Sequence, residues 1–267
     1  MVLEDIFSTP LPIVGMVHLS PLPGSPRYGG RMDAVVKRAL EDARALEEGG
    51  VDGLLVENLG DVPYHKDAVP PETVASMARV LGELGGATGL PLGVNVLRNA
   101  CTSALALAHS FGARFIRANV LSEAFVTDQG IIEGCAERLL RARKALGAEE
   151  VQIWADVHVK HAFPLFQRSI QDSARDMVQR SLADALIVTG ERTGAPPSFR
   201  DLKAAEGLAP VVVGSGLETG NARSLLAAAG GGIVGTHLKE GSKIGNPVDV
   251  ERVRAFMEEV KRVRAGV

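Results

Sequence analysis

A single α/β domain closed into an eight-stranded parallel barrel is the fold class this sequence predicts, and three observations predict it. Short apolar runs alternate with helical patterns eight times, at a spacing of about 30 residues, the length of one strand–helix unit. The runs are apolar throughout, as strands buried on both faces of a parallel sheet are. No glycine-rich dinucleotide turn follows the first run, which an open doubly wound sheet would favour. The chain has 267 residues, 46% of them hydrophobic, and one barrel of this kind occupies such a length without a second domain.

The units follow in order. Ile13–Val17 is an apolar run ending at His18, and a loop rich in proline and glycine separates it from a helix predicted over Asp33–Glu48 and stopped by Gly49-Gly50. Leu54–Val56 is the second strand, ending at Glu57-Asn58, with a helix over Glu72–Leu84. Leu92–Val96 is the third, with Arg98-Asn99 beyond it and a helix over Ala100–Phe111. Phe115–Val120 is the fourth; the stretch LSEAFVTDQGIIEG reads as a loop before a helix over Cys135–Leu146. Val151–Val159 is the fifth, with a helix from Ile170 to Leu182. Ala185–Val188 is the sixth, followed by TGERTGAPP and a short helix, Phe199–Ala205. Val211–Val213 and Gly232–Val234 complete the eight, with a helix over Asn221–Ala229 between them and an amphipathic helix over Asp249–Arg264 after them. The result is a single (β/α)8 TIM barrel spanning residues 1–267.

Bulk chemistry narrows the partners. A net charge of −3 leaves no strong basic field for nucleic acid. No 18-residue apolar segment argues for a membrane span, and MVLEDIFSTP is not a secretory signal. Two cysteines, Cys101 and Cys135, read as isolated thiols of a reducing cytoplasm, without a disulfide scaffold or a metal motif. Barrels of this type often associate, so a homo-oligomer is expected.

Working residues of such a barrel lie at the C-terminal strand ends and in the loops that follow. After the seventh and eighth strands stand Gly214-Ser215-Gly216 and Gly235-Thr236, small residues whose N–H groups can point at an anion. They are candidates for phosphate binding, with Lys239 as counter-charge; the alternative is that the glycines only permit tight turns. In the fifth strand, alternation puts Asp156, His158 and Lys160 on one face, Val157 and Val159 on the other. That points to acid/base work, or to a divalent metal held by Asp156 and His158, against an ion-paired layer closing the barrel. Glu57 is a candidate base for proton abstraction beside a carbonyl, or a partner of Arg117 or Lys160. His18, Asn95, Arg117, Asn119 and Thr189 are candidates for orienting a polyhydroxylated ligand. Asp128 and Gln129 reach over the mouth or shape a turn. His65, His109, His161 and His237 carry weaker signals.

Several strings together resemble one family: VGMVHLSPLPGSPRY, VENLGDVPYHKD, GVNVLRN, FIRANV with TDQGIIEG, ADVHVKHA, VTGERTGAP, VVVGSGLETGN and IVGTHLKEG with NPVDVERV. As a set they resemble the BtpA/SgcQ family, over most of the chain from Ile13 to Val253. The resemblance implies a TIM barrel of the ribulose-phosphate-binding type. By its name the family is linked to photosystem I biogenesis in cyanobacteria, and otherwise to sugar or nucleotide metabolism. Two readings follow: an enzyme acting on a phosphorylated sugar or nucleotide-like molecule, with no certain cofactor beyond a divalent metal, or a non-catalytic assembly factor for a membrane complex. Polar groups on successive strand ends favour the enzyme.

Overall fold

The computed structural model describes residues 3–190 and 194–266. Eight parallel strands close into a barrel: β1 (Ile13–His18), β2 (Gly53–Glu57), β3 (Leu92–Asn95), β4 (Phe115–Ala118), β7 (Gln152–Val157), β9 (Ala185–Val188), β10 (Val211–Val213) and β11 (Gly231–Val234). Consecutive barrel strands are neighbours throughout, and β1 pairs with β11 to complete the circle. Each is followed by one of the helices α1 (Met32–Gly49), α2 (Pro71–Ala87), α3 (Cys101–Ser110), α4 (Ala136–Leu146), α5 (Ile170–Gln179), α6 (Phe199–Ala205), α7 (Ala222–Leu226) and α8 (Val250–Arg264). Helix boundaries track the caps: Ser169, Ser198 and Asp249 each accept a backbone N–H of the first turn of α5, α6 and α8. At the other end, Gly50 and Gly147 close α1 and α4 in the left-handed conformation.

Three features depart from the expected pattern. The loop after β4 holds an antiparallel hairpin, β5 (Ala124–Thr127) and β6 (Gly130–Glu133), which a short strand β8 (Ala162–Pro164) extends into a three-stranded sheet. The fifth barrel strand stops at Val157 instead of Val159, because His158 takes a positive φ of 54° and breaks the pleat. The two cysteines are buried, and their side chains lie within hydrogen-bonding reach of each other at the starts of α3 and α4. Glu191, Arg192 and Thr193 of the loop after β9 lie outside the described residues.

Strand alternation divides the core in two. Outward-facing residues such as Ile13, Val56, Val94, Ile153 and Val213 pack under the helices in one continuous cluster. Inward-facing Val14, Met16, Leu55, Phe115, Trp154, Ile187, Val212 and Ile233 fill the barrel, and Leu3 and Phe7 plug its N-terminal end. The centre of that plug is a stack of Phe115 on Trp154, with ring centroids 4.0 Å apart and planes 15° from parallel; the indole N–H donates to Gln152 Oε1. Both rings are fully buried. Truncation by Phe115→Ala leaves a cavity that rigid strands cannot collapse, so unfolding free energy measured in urea should fall by about 3–5 kcal/mol.

Candidate functional site

Two residues beyond the apolar stack, on the same inward faces, the barrel turns polar. Arg117 on β4 makes a bidentate pair with Asp156 on β7, Nε to Oδ2 at 2.9 Å and Nη2 to Oδ1 at 2.7 Å. Asn119 Nδ2 donates to the same carboxylate at 2.8 Å. On the other side of the mouth, β1, β2 and β3 bring His18, Glu57 and Asn95 into register in one row. Asn95 donates to Glu57 Oε2, and His18 Nε2 lies 3.8 Å from Glu57 Oε1.

Of these, His18, Glu57, Arg117 and Asn119 border a cavity of about 610 Å³ at the C-terminal end of the barrel, a size suited to a small-molecule ligand. One wall carries Gly214, Ser215 and Gly216 after β10, and Gly235 and Thr236 after β11. Across the opening lie Glu57, Arg98, Arg117, Asn119 and Lys160, and His18 stands beside Gly235 where the two sets meet. The hairpin contributes Asp128, and β8 contributes Phe163 above the rim. The two small-residue loops and Lys160 therefore face one opening.

The glycines have packing reasons of their own. Gly216 has φ 67°, and a Cβ there would stand 2.2 Å from Pro196 N, in the loop after β9. A Cβ at Gly235 would stand 2.9 Å from the His18 ring. Ser215 Oγ accepts from Gly190 N and donates to Ala195 O, pinning the same loop. The N–H groups of Ser215, Gly216, Gly235 and Thr236 enter none of the backbone hydrogen bonds among the described residues.

Electrostatics separates the candidates. Burial pushes His18 well below its ordinary range, and the positive charges of Lys239, Lys160 and Arg117 push it further, so its imidazole is neutral at pH 7. Its Nδ1 has no partner. Burial, with Arg117 next, lowers Lys160 to about 8, and no carboxylate comes within ion-pair distance of its amine among the described residues.

Two expectations from the sequence are corrected. His158 does not share a face with Asp156 and Lys160: the positive φ turns its ring outward, where Nε2 lies 3.0 Å from Ser173 Oγ on α5 and the ring meets the edge of Phe125. Asp156 and His158 therefore do not converge on one metal. Lys239 does not face the cavity: it is 1% exposed, and its Nζ lies 3.2 Å from Asp42 Oδ2 on α1. Asp42 also accepts from Val248 N and Arg38 Nε, so this cluster ties α1 to the segment after β11.

Asp156 is 1% exposed and orients Arg117 and Asn119 without lining the cavity. Asn95 and Thr189 are likewise buried behind the lining; Thr189 Oγ1 has no partner. Gln129 donates to Asp128, whose carboxylate overlooks the mouth. Sequence reasoning assigned no role to Arg98, Tyr64, Phe163 or Ser242, all on the lining. Arg98 had a visible signal, a cation two residues past a barrel strand.

Fold and mouth together define a TIM barrel with a ligand-sized polar cavity at its C-terminal face. The chain belongs to the BtpA family, whose model matches residues 9–262. It is 46% identical over 261 residues to the photosystem I biogenesis protein BtpA of Synechocystis, covering 97% of this chain and 91% of that protein. It is also 46% identical over 257 residues to an uncharacterized protein of Pyrococcus furiosus, covering 96% and 97%. The same fold recurs in phosphoribosyl anthranilate isomerase of Thermus thermophilus, with TM-score 0.59 and 15% identity over 95% of this chain and 100% of that one. Thiamine phosphate pyrophosphorylase of P. furiosus gives TM-score 0.59 and 16% identity, covering 95% and 96%. No described helix is long and apolar enough to cross a membrane.

Lys239→Ala strands Asp42 without its ammonium inside the fold. Stability should fall by about 3 kcal/mol in denaturant titration, and the double change Asp42→Asn, Lys239→Met should recover much of it. Lys160 gives the opposite sign. Its folded pKa of about 8 lies below its unfolded value, so the buried charge destabilises the fold below pH 8, and the deficit fades as pH rises toward 10.5. Lys160→Met should therefore be more stable than the parent in denaturant titration at pH 7, by on the order of 1 kcal/mol or more, with the difference fading as pH rises past about 10.5.

Proposed function

We propose that this chain is an enzyme acting by acid/base chemistry on a phosphorylated sugar or nucleotide-like small molecule. The observation that carries the reading is the division of one cavity into two chemically distinct walls. Unbonded N–H groups after β10 and β11 suit the phosphate. Ionisable groups across the opening suit the reacting end.

The roles follow from the environments. Glu57, fixed by Asn95, is the base that takes a proton from carbon beside a carbonyl. Neutral His18 presents an imidazole without the charge that would quench Glu57. Lys160, poised near neutral pH, stabilises negative charge on the carbonyl oxygen or passes it a proton. Arg117 and Asn119, locked on Asp156, present a fixed hydrogen-bonding floor. Isomerisation or carbon–carbon cleavage uses these parts.

An assembly role for a membrane complex is the second reading, and one feature favours it. Ile131, Val126 and Phe163 stand directly across from one another on β6, β5 and β8, 45%, 43% and 77% exposed. Such a row is an apolar surface suited to a partner, including a second copy of this chain.

Thermal unfolding in the presence of ribose 5-phosphate, other sugar phosphates, nucleotides and inorganic phosphate tests the first reading. At 100-fold excess over Kd a true ligand adds about 2.7 kcal/mol, which for a domain this size raises Tm by about 5–10 °C. Ribose alone should give no shift. Glu57→Gln should keep the shift and remove turnover by at least about 100-fold. If no phosphorylated compound shifts Tm while Phe163→Glu abolishes co-sedimentation with liposomes, the assembly role is the right one.

A further inference from the structure

Among the described residues, most buried and half-buried cations at the barrel are ion-paired. Arg117 pairs with Asp156, Lys239 with Asp42, Arg143 with Asp184 and Arg264 with Asp52. Among the described residues, Arg98 and Lys160 form no ion pair. Arg98 is 5% exposed; one of its N–H groups donates to Lys160 O at 2.8 Å, and its Nε has no partner. Glu57, Asp128 and Asp156 attract these cations from a distance, but none reaches ion-pair range of either among the described residues. The contact from Arg98 to the Lys160 carbonyl holds the two side by side on the cavity wall.

Their place in the barrel matters as much as their lack of partners. Arg98 follows β3, the third barrel strand, and Lys160 follows β7, the fifth; the glycine loops follow the seventh and eighth. In an eight-stranded circle, the third and fourth strands stand opposite the seventh and eighth. One phosphate resting on the N–H groups of Gly216 and Thr236 would leave Arg98 unmatched across the opening. A buried charge without a partner is costly unless the ligand supplies one.

We propose that the ligand carries two oxyanionic groups: a phosphate on the loops after β10 and β11, and a second group, a carboxylate or another phosphate, held by Arg98 and Lys160. This rests on the phosphate reading and narrows it to a doubly anionic substrate class. The charge of Arg117 is already matched by Asp156 through two hydrogen bonds, so it is not the unmatched cation. Arg98 and Lys160 supply two positive charges that no carboxylate among the described residues meets at ion-pair distance.

Matched probes separate the two claims. Calorimetric titration at pH 7 and fixed ionic strength compares glycerol 3-phosphate with 3-phosphoglycerate, and fructose 6-phosphate with fructose 1,6-bisphosphate. The expected result is that the more anionic member of at least one pair binds tenfold or more tightly than its partner. Arg98→Gln and Lys160→Met should each cut that advantage below about twofold, and in Arg98→Gln affinity for the less anionic probe should stay within about twofold of the parent. Circular dichroism confirms that each variant is folded, and either variant suffices if the other is not. Equal affinity within both pairs overturns the inference and leaves the phosphate reading standing. Loss of binding of the less anionic probe in Arg98→Gln also overturns it, since that cation then holds the one phosphate. Binding of neither member of either pair overturns the phosphate reading and this inference with it.

Discussion

The bidentate pair of Arg117 and Asp156 is the interaction on which the upper half of this barrel depends. It sits two residues above the Phe115–Trp154 stack on the same two strands, so pleat alternation forces the apolar plug and the ion pair onto one axis. A guanidinium and a carboxylate buried this deeply hold only if their hydrogen bonds are well satisfied. Two direct N–H bonds and a third from Asn119 do so. The pair thereby marks where the dry core ends and the cavity begins. It gives the cavity a polar floor that carries no net charge, so Glu57, Arg98 and Lys160 on the cavity lining set the field inside the opening.

How much of this was legible in the sequence depended on whether the chain stayed pleated. Glu57, Asn95, Arg117 and Asp156 lie in regular strands, and period-two alternation puts them on the inner face where they are found. At His158 the rule fails, because its positive φ takes the chain out of the pleat and alternation no longer applies beyond it. Lys160 still faces the cavity, by way of that turn and not by alternation. Lys239 could not be placed from sequence: its partner Asp42 lies 197 residues away, and no local pattern records a pairing over that distance. The hairpin over Ala124–Glu133 did leave a signal, alternating apolar residues around a turn with Gly130 at φ 92°. An eight-unit template absorbs such an excursion into a loop.

Glycine content turns out to be a poor guide to the mouth, although it drew attention to the right place. Gly216 and Gly235 are small because a Cβ would strike Pro196 or His18, and that explanation needs no ligand. Unmet polar capacity discriminates better, because folded interiors satisfy nearly all of theirs. His18 Nδ1, Arg98 Nε and Asn119 Oδ1 are buried without partners and belong to residues lining a single cavity. Packing alone gives no reason for three orphaned groups to gather round one opening. Under the proposed reading, a ligand would supply those partners.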